Sequence, residues 1–208
     1  MMKYFENSSV LDVMKVTGLP LNEKQVGSVV KNVLCGLEYL HEKGFVHRDI
    51  KSANILLDSE GSAAIGDFGS ALNKSATASA GGGTLCFLAP ETIEMSMFSV
   101  KSDIYALGIA CIEMAEKSPP NIEMSQEKLA LKILMEESPT LSNKTQYTVH
   151  FNNFIATCLE KDHNKRPDTL QLSSHPFINY TKHPKETMPP LLEAYSKARF
   201  PTTPTSKN

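Results

Sequence analysis

Apolar residues recur at helical spacing through most of this chain and at strand spacing only in short runs. From Asn22 onward, Val26, Val29, Val30, Val33, Leu34, Leu37 and Leu40 share one face, the three-and-four spacing of an amphipathic helix. Asn22 can cap it, Gln25 can close a capping box, Leu21 can staple onto Val26, and Gly44 marks the stop. Residues 1–7 read as the end of a strand running into a connection, and Ser8 or Ser9 caps a short helix through Val16. Ile55 to Leu57 and Ala63 to Ile65, joined by turn residues, predict a small hairpin. Residues 70–83 are Ser, Ala, Thr and Gly with almost nothing to bury, which predicts a mobile loop with a functional use.

Between residues 100 and 117 the chain is apolar nearly all round, the mark of a helix buried inside a bundle. Pro119-Pro120 ends it. A further helix is predicted over 125–136, and Phe151, Phe154, Ile155, Cys158 and Leu159 give the clearest amphipathic pattern of the second half. Arg166-Pro167-Asp168 opens a short helix, and His175-Pro176-Phe177-Ile178 closes the compact domain. Residues 181–208 read as a Pro/Thr-rich tail with one or two helical turns, around Leu191, Leu192 and Tyr195, packed on the domain. The fold class is mainly α.

Composition narrows the partners. With 208 residues and 41% hydrophobic content the chain can bury a sizeable core. A formal net charge of -2 and the lack of a basic run give no footprint for nucleic acid or an anionic membrane. Residues 104–112, the longest apolar stretch, are too few to span a bilayer, and residues 1–9 lack a signal core, so a cytoplasmic protein is the expectation. Cys35, Cys86, Cys111 and Cys158 are far apart and read as buried reduced thiols. His41, His150, His163, His175 and His183 read as surface or turn residues without metal-ligand spacing.

The candidate chemistry lies in His47-Arg48-Asp49-Ile50-Lys51-Ser52-Ala53-Asn54 and in Asp67-Phe68-Gly69. An acid, an amine, an amide and a second acid stand at fixed spacing between the long helix and the hairpin. Phosphoryl transfer needs such a set: an oriented hydroxyl, held magnesium, and fixed positive charge for the equatorial oxygens. Asp49 would accept the hydroxyl proton, Lys51 would reach the transferring phosphate, and Asn54 and Asp67 would hold magnesium. Gly69 would let the chain turn sharply after the metal ligand.

The H-R-D-x-x-x-x-N pattern, the D-F-G thirteen residues after its Asn, and Ala89-Pro90-Glu91 occur in the order of the protein-kinase signature. On these motifs the chain resembles the eukaryotic protein kinases over residues 1–180, as their large C-terminal lobe: a helical bundle with a small β-hairpin at the catalytic loop. The resemblance implies Mg-ATP as cofactor, with Met2 as gatekeeper, Tyr4 and Phe5 as the adenine-binding hinge, and Leu56 as the floor under the ring. It implies that Asp103 braces the catalytic loop and that Glu91 pairs with Arg166. Lys51 resembles the serine/threonine branch, and residues 83–88 resemble its substrate-docking segment, with Thr84 bonding Asp49 and Lys51. The partner implied is a protein carrying a Ser or Thr acceptor. Within the branch the motifs look like the germinal-centre-kinase and p21-activated-kinase group; a mitogen-activated-protein-kinase kinase kinase would read similarly.

The chain departs from that pattern at the front, where no glycine loop and no V-A-x-K lysine occur, so the small lobe is absent from these residues. Two readings stay open: part of an active kinase domain, or a truncated relative without catalysis that serves as a binding module through residues 125–136 and the segment around Phe87. Arg48 implies, by the resemblance, an arginine that meets a phosphate placed by a partner kinase on the 70–90 loop. The group's usual position is Ala80 here, with Ser75, Thr77 and Ser79 nearby. Tyr105 and Phe87 stand where relatives often have Trp.

Overall fold

The computed structural model describes residues 8–73 and 84–200. The first half holds α1 (Val10–Thr17), α2 (Glu23–Glu42), β1 (Phe45–Val46), β2 (Ile55–Leu57), β3 (Ala63–Ile65) and β4 (Leu72–Asn73). The second half holds α3 (Pro90–Met95), α4 (Val100–Glu116), α5 (Gln126–Met135), α6 (Val149–Cys158), α7 (Thr169–Ser173), α8 (Pro176–Asn179), α9 (Pro184–Thr187) and α10 (Pro189–Arg199). Helices α2 and α4 form the centre, and the other elements pack around them.

Helix α2 forms where the apolar face predicts it. The capping box is made: Asn22 Oδ1 accepts from Gln25 N at 3.1 Å, and Gln25 Oε1 accepts from Asn22 N at 2.9 Å. Val26, Val29, Val30, Val33, Leu34 and Leu37 are buried, and Gly44 leaves the helix with φ +80°. Helix α4 is the buried pillar, with fourteen of its seventeen residues inside. Gly108 lets α6 come close, since a Cβ there would lie 2.8 Å from Leu159 Cδ2 and 2.9 Å from Cys158 Cβ. On α6, Phe151, Phe154, Ile155 and Cys158 face inward, and Phe151 stacks on Phe177 at 4.7 Å between ring centroids.

The hairpin pairs Ile55 with Ile65 and Leu57 with Ala63, and Asn32 of α2 accepts from Ala63 N at 3.0 Å. Strands β1 and β4 also pair antiparallel; with two residues each they are too short to leave a period in the sequence.

Three features correct the sequence reading. The tail has more structure than one or two turns: α9 and α10 run over residues 184–199, with Met188, Leu191 and Tyr195 in the core. Pro189 and Pro190 supply the fixed φ that suits a first helical turn, so the prolines start α10 rather than prevent it. Cys35 is exposed while Cys86, Cys111 and Cys158 are buried, because residue 35 turns away from the Val33, Leu34 and Leu37 face. His41 is buried on that face, seven residues after Leu34. Of the loop predicted over 70–83, residues 74–83 lie outside the described residues.

Among the described residues, no helix is long and apolar enough to cross a membrane.

Candidate active site

The loop after β1 is held from two directions. His47 is buried; its Nδ1 accepts from Asp49 N at 3.3 Å, so the proton lies on Nε2, which donates to Gly66 O at 3.0 Å. Its ring also meets Phe68 edge-on at 5.3 Å, which ties the loop to the D-F-G segment. Arg48 stands at φ +75°, a strained region for a side chain with a Cβ. Asp103 of α4 holds that shape: Oδ2 accepts from His47 N at 2.9 Å and Oδ1 from Arg48 N at 2.8 Å. His41 Nε2 lies 2.8 Å from Asp103 Oδ2 and fixes the carboxylate in turn. The Arg48 guanidinium lies 4.3 Å from the Phe98 ring centre.

The reactive groups gather on Asp49. Its Oδ2 accepts from Lys51 Nζ at 2.7 Å and from Asn54 Nδ2 at 2.9 Å, and its Oδ1 accepts from Thr84 Oγ1 at 3.3 Å. Lys51 Nζ also donates to Thr84 Oγ1 at 3.0 Å, so Thr84 meets both residues, as the resemblance implies. Asn54 Nδ2 donates again, to Asp49 O at 2.8 Å, which commits both amide hydrogens and leaves its Oδ1 as an acceptor. The short turn Ser52–Asn54 places that amide beneath Asp49.

Asn54 and Asp67 flank the paired Ile55 and Ile65, and Gly66 N donates to Asn54 O at 2.8 Å, so both lie at the same end of the hairpin. Asp67 is exposed and takes the left-handed conformation, φ +56°, while its Oδ1 accepts from Gly69 N at 3.2 Å. The sharp turn therefore sits on Asp67 rather than on Gly69. A Cβ on Gly69 would lie 3.1 Å from Asp67 Oδ1, so glycine keeps space beside the carboxylate. An amide oxygen and a carboxylate are hard oxygen donors of the kind magnesium takes, with waters and phosphate completing its shell. Leu56 is half-buried on β2. Met2, Tyr4 and Phe5 lie outside the described residues.

Glu113 stands in none of the motifs that mark the site. It is a second anchor from α4: its Oε2 accepts from Ser52 N at 2.9 Å, buried beneath the loop. Burial pushes its carboxyl above the usual value of 4.5, while the Ser52 hydrogen bond and the nearby Lys51 charge pull the other way. Asp103 and Glu113 stand ten residues apart on one helix and hold the His47–Asn54 loop at Arg48 and at Ser52.

Glu91 and Arg166 form a buried two-pronged pair, at 2.7 and 3.0 Å. Arg166 donates further to the carbonyls of Lys101, Glu160 and Lys161, so its donors are met and its work is structural.

The family model described as protein kinase domain matches residues 1–178. Among curated proteins, serine/threonine-protein kinase dst2 of Dictyostelium discoideum is 39% identical over 197 residues, which cover 92% of this chain and 17% of that protein. Serine/threonine-protein kinase 1 of Arabidopsis thaliana is 36% identical over 201 residues, 95% of this chain and 24% of that protein. Serine/threonine-protein kinase cst-1 of Caenorhabditis briggsae is 38% identical over 180 residues, 85% of this chain and 36% of that protein. The chain spans about a sixth to a third of the length of these relatives.

Proposed function

Since the chain belongs to the protein kinase family, we propose that it carries the phosphoryl-transfer site of an ATP-dependent serine/threonine kinase, with Asp49 as the residue that takes the acceptor hydroxyl. The observation that carries this reading is the convergence of Lys51, Asn54 and Thr84 on one carboxylate.

Each contact has a task. Two donors hold Oδ2 of Asp49, so Oδ1, met among the described residues by the longer Thr84 contact, is the oxygen left to face an acceptor hydroxyl. Accepting that proton orients the hydroxyl lone pair in line with the γ-phosphate. Lys51 has three donors and spends two on Asp49 and Thr84, which leaves one for an oxygen of the transferring group. Asn54 and Asp67 would hold magnesium, which neutralises charge on the β- and γ-phosphate oxygens when bound. Leu56 would lie under adenine, with Met2, Tyr4 and Phe5 lining the connection beside it.

The acceptor belongs to a protein, delivered along the segment after Thr84, in the cytoplasm. A partner kinase acting on the 70–90 loop would place its phosphate toward Arg48. The test is transfer of labelled γ-phosphate from Mg-ATP to matched Ser, Thr and Tyr peptides. Label on Ser or Thr, lost on chelation of magnesium, is the expected result; label on Tyr alone would overturn the assignment.

A further inference from the structure

Helix α10 lies beyond residues 1–178, which the kinase family model matches, yet it is fastened to the segment that leads away from the proposed adenine site. Ser8 stands three residues after Phe5 and runs beside β2: Leu57 N donates to Ser8 O at 3.4 Å, and Ser9 forms an antiparallel bridge with Leu56. On its other side Leu56 pairs with Ala64 of β3. The backbone of Leu56 is therefore held between two neighbours, and one of them is the Ser8–Ser9 segment.

That segment is held in turn from α10. The Tyr195 hydroxyl is hydrogen-bonded to Ser8 Oγ and accepts from Arg199 Nη1 at 2.9 Å, while Ser8 Oγ accepts from the same nitrogen at 3.4 Å. Arg199 stands one helical turn after Tyr195, with its guanidinium 5.8 Å from the ring centre, so it orients the phenol. Burial of the ring accounts for the packing of α10 on α1. The hydroxyl adds something the ring does not: it links Arg199 through Ser8 to the backbone of β2. The hairpin is also held at its turn, where Glu60 meets Lys185 at 2.9 Å and a Cβ on Gly61 would lie 2.6 Å from Met188 Cγ. Residues 184–199 thus hold β2 from the side of Ser8 and the hairpin at its turn.

We propose that Tyr195 is a positioning residue for the nucleotide: its hydroxyl, oriented by Arg199, holds Ser8 and through it the Leu56 backbone beneath adenine. This assignment rests on the kinase reading and extends it to a C-terminal helix outside the matched family residues.

The test is titration of the whole chain with a fluorescent N-methylanthraniloyl derivative of ATP in the presence of magnesium. Tyr195→Phe removes the hydroxyl and keeps the buried ring. Tyr147→Phe makes the same change elsewhere, where the hydroxyl donates to Ala115 O at 3.3 Å. Tyr195→Phe is expected to weaken nucleotide binding about fivefold and Tyr147→Phe to leave it within about twofold, both with a Tm close to wild type. Adding Ser8→Ala to Tyr195→Phe is expected to cost nothing further, because the two side chains act through one bond. In transfer assays Tyr195→Phe is expected to raise KM for ATP at constant kcat. Equal affinities of the two Tyr variants, or additive losses with Ser8→Ala, would overturn the positioning role. Binding that depends on Tyr195 in a chain that transfers no phosphate would overturn the kinase reading alone, and absence of nucleotide binding by wild type would overturn both.

Discussion

At Asp103 three donors, His47 N, Arg48 N and the His41 ring, converge on one carboxylate that is 1% exposed. Asp103→Ala would remove the acceptor these three donors share, at about 1–3 kcal/mol each. Urea unfolding is expected to show a loss of about 3 kcal/mol or more; a loss under about 1 kcal/mol would mean the strained Arg48 backbone is held by something else. Glu113 behaves differently. Its folded pKa is raised, so the folded state binds the proton more tightly than the unfolded state and stability falls as pH rises above about 4.5. Glu113→Gln keeps an acceptor for Ser52 N and never ionises. The variant is therefore expected to melt above wild type at pH 8, with the gap closing below about pH 4.5; a gap independent of pH would remove the buried charge as its cause. The contacts of Lys51 and Asn54 with Asp49 follow from their spacing, because one short loop brings the three together locally. Those of Glu113 and His41 do not, since their partners lie 61 and 62 residues away and only the packing of α2 and α4 unites them.

At the scale of elements, the long amphipathic helices and the β2–β3 hairpin were legible because each carries its own period and its own caps. The C-terminal helix was half legible. Met188, Leu191, Leu192 and Tyr195 do follow helical spacing, but the surrounding Pro and Thr suggested a tail. What turns them into structure is α1, against which α10 packs, with the Tyr195 hydroxyl bonded to Ser8 and to Arg199 at 2.9 Å. Tyr195→Ala would remove a ring that is 5% exposed, at a cost of about 3 kcal/mol. Hydrogen exchange is expected to quicken in α1 and α10 together, while α6 keeps its protection; exchange confined to α10 would show that the two helices do not support one another.

Across the whole molecule, the loop from His47 to Asn54 is suspended between α2, which delivers it, and α4, which holds it at Arg48 and at Ser52. The Glu91–Arg166 pair ties α3 to the α6–α7 connection, so the two sides of the bundle are joined through a buried ion pair. The central claim is that this suspended carboxylate, Asp49, carries out transfer. Asp49→Asn keeps the size of the side chain and removes its capacity to take a proton. The most direct measurement is therefore the rate of γ-phosphate transfer from Mg-ATP to a Ser/Thr protein by wild type and by Asp49→Asn, each with its Tm. The expected result is a fall of about 10²–10⁴-fold in kcat at a Tm within a few degrees of wild type; unchanged transfer by the folded variant would contradict the role given to Asp49.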